Sequence, residues 1–162
     1  MGATKNYWSW WNININTKFT FFADVESVIL RSSSTKNCWS PQASSNPCAP
    51  VEGTLLSLQS YCQGEGVMLT LRQDDTIVHS CSGKCVYLNP QGFLALENEP
   101  CDKFTKRNHR SGTFALSHVA SGSCVNVDVS KRLKLGSCKT PHMFEVTTSG
   151  IKSYFRLCIA VE

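Results

Sequence analysis

Apolar positions along this chain alternate in short runs broken by Gly, Ser, Asn and Pro, and the spacing of an amphipathic helix is almost absent. The pattern predicts an all-β chain. The runs also recur, which is the first thing to test in any sequence. Each copy reads as an apolar strand, a turn, a strand headed by cysteine, an L-x-L strand leading to a second cysteine, and a strand bearing Phe or Leu. The first has Ser27-Val28-Ile29-Leu30, Asn37-Cys38-Trp39, Leu55-Leu56-Ser57-Leu58 with Cys62, and Val67-Met68-Leu69-Thr70-Leu71. The second has Thr76-Ile77-Val78, Cys85-Val86-Tyr87-Leu88, Phe93-Leu94-Ala95-Leu96 with Cys101, and Lys103-Phe104-Thr105. The third has Thr113-Phe114-Ala115-Leu116, Cys124-Val125-Asn126-Val127, Leu133-Lys134-Leu135 with Cys138, and Met143-Phe144-Glu145-Val146.

One such unit cannot bury its apolar face alone. Three around a pseudo-threefold axis close a barrel and remove most exposed sheet edges. The fold expected is therefore a β-trefoil of three four-stranded repeats, over residues 25–74, 75–112 and 113–150. Residues 1–24 and 151–162 are expected to add strands at either end, through Asn12-Ile13-Asn14-Ile15-Asn16 and Tyr154-Phe155-Arg156-Leu157-Cys158-Ile159.

Nine cysteines among 162 residues point to an oxidising compartment, since cytosolic thiols are kept reduced. Zinc would require paired ligands at Cys-x-x-Cys spacing, and there are none, so no metal or other cofactor is expected. The gaps within each unit suit a local staple, and closing a loop of about 15 residues stabilises by roughly 3 kcal/mol in the chain-entropy model. The spacing pairs Cys38 with Cys62, Cys85 with Cys101, and Cys124 with Cys138, leaving Cys48, Cys81 and Cys158 unassigned. Charged residues are only 17% of the chain, as suits an extracellular β-protein. The opening Met1-Gly2-Ala3-Thr4-Lys5 does not read as a secretory leader, and a mature segment is expected. No run approaches the roughly 18 apolar residues of a membrane helix.

Residues Leu69 to Leu88, LTLRQDDTIVHSCSGKCVYL, resemble the junction between two units of a ricin-type (R-type) lectin. Gly122-Ser123-Cys124-Val125-Asn126-Val127 and Leu133-Lys134-Leu135-Gly136-Ser137-Cys138 resemble that family's Cys-Leu-Asp-Val and L-x-x-C elements. The segment Val28 to Cys38 is similar to the opening of the cysteine-rich domains of the mannose-receptor family. The resemblance implies sugar binding near an acidic residue two positions after each lead cysteine. Here those positions hold Ser40, Tyr87 and Asn126, and the Gln-x-Trp signature is absent, Phe104 and Phe144 standing near its place. The third unit is the best preserved: Asn126 and Asp128, beside Lys131 and Arg132, are the candidate grip on an anionic or sulfated sugar. Their plainer roles are a surface strand residue and a turn former.

Other features carry two readings each. Tyr7-Trp8-Ser9-Trp10-Trp11 offers aromatic faces for sugar rings, or a cover for the barrel end. Trp39 either lines a site or caps the core. The insertion from Ser40 to Gly53, with Pro41, Pro47 and Pro50 around Cys48, is a recognition loop or a stapled one. Net charge is +4, and Lys103, Lys106, Arg107 and Arg110 form a basic cluster that is either a solvated loop face or a seat for an anionic chain. Catalytic motifs are absent, and His79 and His118 occupy corresponding positions, which points to structure. The expectation is a non-enzymatic recognition domain, secreted or on the outer side of a membrane protein. Its partner would be a glycan or glycoprotein; the alternative is a protein receptor or ligand, as in an adhesin whose sugar sites are lost. Nucleic acid is disfavoured as a partner.

Overall fold

Each lead cysteine is reached through the same tight turn, and that turn sets the geometry of the whole molecule. In the computed structural model, which describes residues 27–42 and 45–148, Ser32, His79 and His118 each donate a backbone N–H to the carbonyl of Asn37, Lys84 and Ser123 respectively, all at 2.7 Å. One residue in each turn adopts the left-handed region: Gly83 and Gly122 at φ 76°, and Lys36 at φ 65°. Glycine holds that conformation without a Cβ penalty; Lys36 does not.

The strands are β1 (Ser27–Ser32), β2 (Cys38–Pro41), β3 (Leu56–Gln59), β4 (Leu69–Leu71), β5 (Ile77–His79) and β6 (Cys85–Leu88). They continue with β7 (Leu94–Glu97), β8 (Phe104–Asn108), β9 (Phe114–His118), β10 (Cys124–Val127), β11 (Leu133–Gly136) and β12 (Phe144–Thr147). Six of them make the barrel. β1 pairs with β12 and β4, β4 with β5, and β9 with β8 and β12, all antiparallel. The bridge between Thr76 and Lys103 closes the ring between β5 and β8.

The hairpins β2–β3, β6–β7 and β10–β11 cap one end. They touch in a cycle through the bridges Leu55–Ala95, Ser57–Arg132 and Phe93–Lys134. A six-stranded barrel capped by three cyclically linked hairpins is a β-trefoil. The extensions read at 1–24 and 151–162 lie outside the described residues.

The core sits on the threefold axis. Leu56 and Leu58, Leu94 and Leu96, and Leu133 come from the L-x-L strands, joined by Leu30, Leu69, Phe104, Phe114 and Phe144. The residue after each lead cysteine points inward, so Trp39, Val86 and Val125 are all 0% exposed. Trp39 is therefore a core residue, which corrects its candidacy as a ligand contact: the strand alternation that places Cys38 at the sheet turns the next side chain to the axis. Its ring meets Phe144 edge-on, with centroids 5.5 Å apart.

Disulfides join Cys38 to Cys62, Cys85 to Cys101, and Cys124 to Cys138, one within each unit. A fourth, Cys48–Cys81, crosses from the insertion of the first unit to the start of the second. Cys158 lies outside the described residues. Two local departures follow from glycine and from strand pairing. The expected strand from Val67 opens instead as a 3-10 turn, Glu65–Val67, after Gly64 at φ 90°. Of the basic cluster, read as a loop, Lys106 and Arg107 lie on β8, which pairs along its full length with β9, while Lys103 precedes the strand and Arg110 follows it.

Candidate functional site

The second residue after each lead cysteine lies on the first strand of its hairpin, and in the third unit that residue is already hydrogen-bonded within the domain. The Asn126 amide donates to the Ser137 carbonyl at 3.3 Å, and its Oδ1 accepts the His142 N–H at 2.9 Å. Gly136 packs against it, since a Cβ there would lie 2.6 Å from the Asn126 amide nitrogen. Asp128 closes the β10–β11 turn: Oδ1 accepts from the N–H groups of Ser130 at 2.8 Å and Arg132 at 2.9 Å. Its other oxygen holds the Arg132 guanidinium through Nε and Nη2, both at 2.9 Å. Desolvation pushes the Asp128 carboxyl pKa up, but the Arg132 and Ser130 hydrogen bonds overcome it and leave the pKa below its ordinary value.

The same guanidinium lies over the Phe93 ring, 4.4 Å from its centroid. Lys131, at φ 68°, is exposed on the turn. These residues form a self-contained turn, and Trp39 lies apart from them in the core.

One groove lies in the first unit. A groove of about 450 Å³ opens between the β2–β3 hairpin, the Pro47–Cys48 loop and the segment from Tyr61 to Val67. Ser40, two residues after Cys38, sits at its buried base. Tyr61 stands at its mouth, 69% exposed, with Gln59, Gln63 and Glu65 also lining it. Gln59 donates from Nε2 to the Pro41 carbonyl at 3.3 Å, which leaves its Oε1 toward other partners.

Two structural devices fix the walls. The Cys48–Cys81 bridge anchors the loop, and the Cys48 N–H is turned onto Asn46 Oδ1 at 3.0 Å. Opposite, His79 is a buried strut. Its Nε2 donates to the Gly66 carbonyl at 2.8 Å, and its Nδ1 accepts from the Ser82 hydroxyl at 2.6 Å. The carbonyl can only accept, so Nε2 carries the proton. Burial pushes the His79 pKa below its ordinary value and keeps the ring neutral. His118 repeats the motif with Ser121 at 2.8 Å. Cys48, Glu65 and Cys81 also cluster closely, but sulfurs joined in a disulfide are not thiolate ligands, so the cluster does not make a metal site.

Tyr61, Gln59, Gln63 and Glu65 were not among the residues singled out from the sequence. The available signal was an exposed-type aromatic next to a unit's closing cysteine, facing a proline-bracketed insertion.

No family model matches the chain, and no curated protein matches it. Solved structures do. The designed threefold-symmetric protein ThreeFoil superposes with a TM-score of 0.63 at 12% identity, covering 75% of this chain and 97% of that one. A ricin B-like lectin of Macrolepiota procera, solved with lactose, gives 0.62 at 8% identity, covering 77% and 96%. The β-trefoil lectin of Vibrio vulnificus hemolysin/cytolysin, solved with N-acetyl-D-lactosamine, gives 0.59 at 14% identity, covering 76% and 95%. At such identities the likeness is one of fold: this chain is a β-trefoil.

Proposed function

We propose that the chain is a carbohydrate-recognition domain of the extracellular space, and that the Tyr61 groove receives a neutral sugar. The observation that carries the reading is an exposed aromatic face set beside amides and a single carboxylate in a stapled groove. The Tyr61 ring supplies a flat apolar surface for the C–H face of a pyranose. Glu65 accepts hydrogen bonds from ring hydroxyls, and Gln59 and Gln63 exchange them in either direction. No Lys or Arg lines the groove, which favours a neutral over a sulfated ligand at this place.

Trefoil lectins solved with lactose and with N-acetyl-D-lactosamine support the same class of ligand. Glu65 is the one acid among the lining residues, so the groove offers no paired acid and base, and the reading is recognition rather than turnover. Four disulfides support a secreted or cell-surface setting. No helix among the described residues is long and apolar enough to cross a membrane. A glycan array is the test, followed by titration of the best ligand against the Tyr61→Ala and Glu65→Gln variants. Saturable binding that falls tenfold or more in each variant is expected. Binding untouched by both changes would remove the groove as the site.

One observation favours a second reading. Val51, on the same loop, is 76% exposed, and an apolar tip suits a protein contact. Capture of a protein receptor or ligand that is lost on Val51→Asp and indifferent to free sugar would establish it instead.

A further inference from the structure

Among the described residues, the basic side chains divide by whether an acid answers them. Arg31 and Lys36 share Glu145, Arg132 is held by Asp128, and Arg72 faces Asp74. The Thr76 hydroxyl, and after it Arg72 and Lys103, hold the Asp74 carboxyl below its ordinary pKa against a smaller opposing effect of burial. Like Lys84, Lys131, Lys134 and Lys139, the neighbouring Lys106, Arg107 and Arg110 have no ion pair among the described residues, and these last three are all exposed. They occupy β8 and the turn that follows it.

That strand is a rigid support, paired with β9 from Phe104–His118 to Asn108–Phe114. The Lys106 ammonium is held 4.7 Å from the centroid of the Phe114 ring. Beside it opens a groove of about 360 Å³, floored by Leu71, Ile77, Phe104 and Leu116 and rimmed by Arg72 and Lys106. Asp75 is the only acid on that rim.

We propose that β8, its following turn and this groove form a second binding site, separate from the Tyr61 groove, for a sulfated polysaccharide chain. Guanidinium and ammonium groups bind sulfate oxygens through charge-assisted hydrogen bonds, and Arg does so with a fork of donors. The apolar floor seats the C–H face of one ring while Arg72 and Lys106 flank it. Arg107 and Arg110 carry the charge beyond the groove, which fits a polymer better than a single sugar. Four disulfides suit an oxidising exterior, where a sulfated polysaccharide is a more accessible polyanion than nucleic acid.

The test is fluorescence anisotropy with a labelled heparin dodecasaccharide over a salt series. The Arg107→Gln/Arg110→Gln variant is compared with Lys131→Gln/Lys134→Gln, which removes the same charge elsewhere. The expected result is saturable, salt-dependent binding that weakens tenfold or more in the first variant and little in the second. The slope of log affinity against log salt should also fall, by roughly the number of cations removed. Equal losses in the two variants would reduce the effect to net charge and overturn the site. So would the absence of saturable binding, or single-stranded DNA of matched charge binding as tightly. Tyr61→Ala should leave heparin affinity unchanged, so the two sites stand or fall separately. Matching thermal melts exclude unfolding as the cause.

Discussion

At the scale of single residues, the turn acid Asp128 separates structural from recognition chemistry. Its counterpart in the second unit is Asn89, whose Oδ1 accepts from the N–H groups of Gln91 at 3.0 Å and Phe93 at 2.9 Å, as Asp128 does from Ser130 and Arg132. An amide thus does in one repeat what a carboxylate does in the other. Asp128→Asn should cost less than Asp128→Ala, because it keeps the turn acceptor and loses only the partly buried ion pair. Asp128→Ala should cost about 1–2 kcal/mol by leaving two turn N–H groups unpaired. Urea denaturation of both variants checks this, and equal losses would show that the ion pair carries the effect. A fall in ligand binding on Asp128→Ala therefore reports the turn before it reports a contact.

At the scale of elements, the Pro47–Cys48 loop and the Glu65–Val67 turn are locked face to face. A Cβ added at Gly66 would collide with the Pro47 ring. Pro47 cannot retreat, because Cys48 beside it is bonded to Cys81. Gly66→Ala should destabilise by about 1–3 kcal/mol, the usual range for overpacking, and weaken the Tyr61 groove. In a Cys48→Ser/Cys81→Ser background the loop can yield, so the same substitution should cost clearly less. A double-mutant cycle on denaturation midpoints reads that coupling; additive losses would mean that the disulfide does not hold the loop in place.

At the scale of the whole molecule, the three units share one interior. The principal cluster draws Trp39, Val86 and Val125, together with Phe104, Phe114 and Phe144, into a single core. No unit can melt while leaving the others packed. Calorimetry on the oxidised protein should show one transition whose calorimetric and van't Hoff enthalpies agree, and two resolved transitions would contradict a shared core.

That threefold plan was legible in the sequence because period-two alternation and recurring cysteines are local signals. The positions His79 and His118 matched for the same reason, each meeting a serine three residues later. The groove was not legible. Tyr61, Gln63 and Glu65 come together with Pro47 only once Cys48 has found Cys81, and a contact between units leaves no periodic trace. Trp39 was ambiguous because the sequence does not say which side of a strand faces the axis. Asn126 and Asp128 matched a resemblance in position, while their partners His142 and Arg132 had already claimed them.

The bond between Cys48 and Cys81 has one more consequence. Together with Cys38–Cys62 it encloses the loop that carries the exposed Val51. A backbone cut there would separate two polypeptides on paper and none in solution, since both bridges span the break. The loop can be clipped while the barrel and both halves of the groove stay covalently one body.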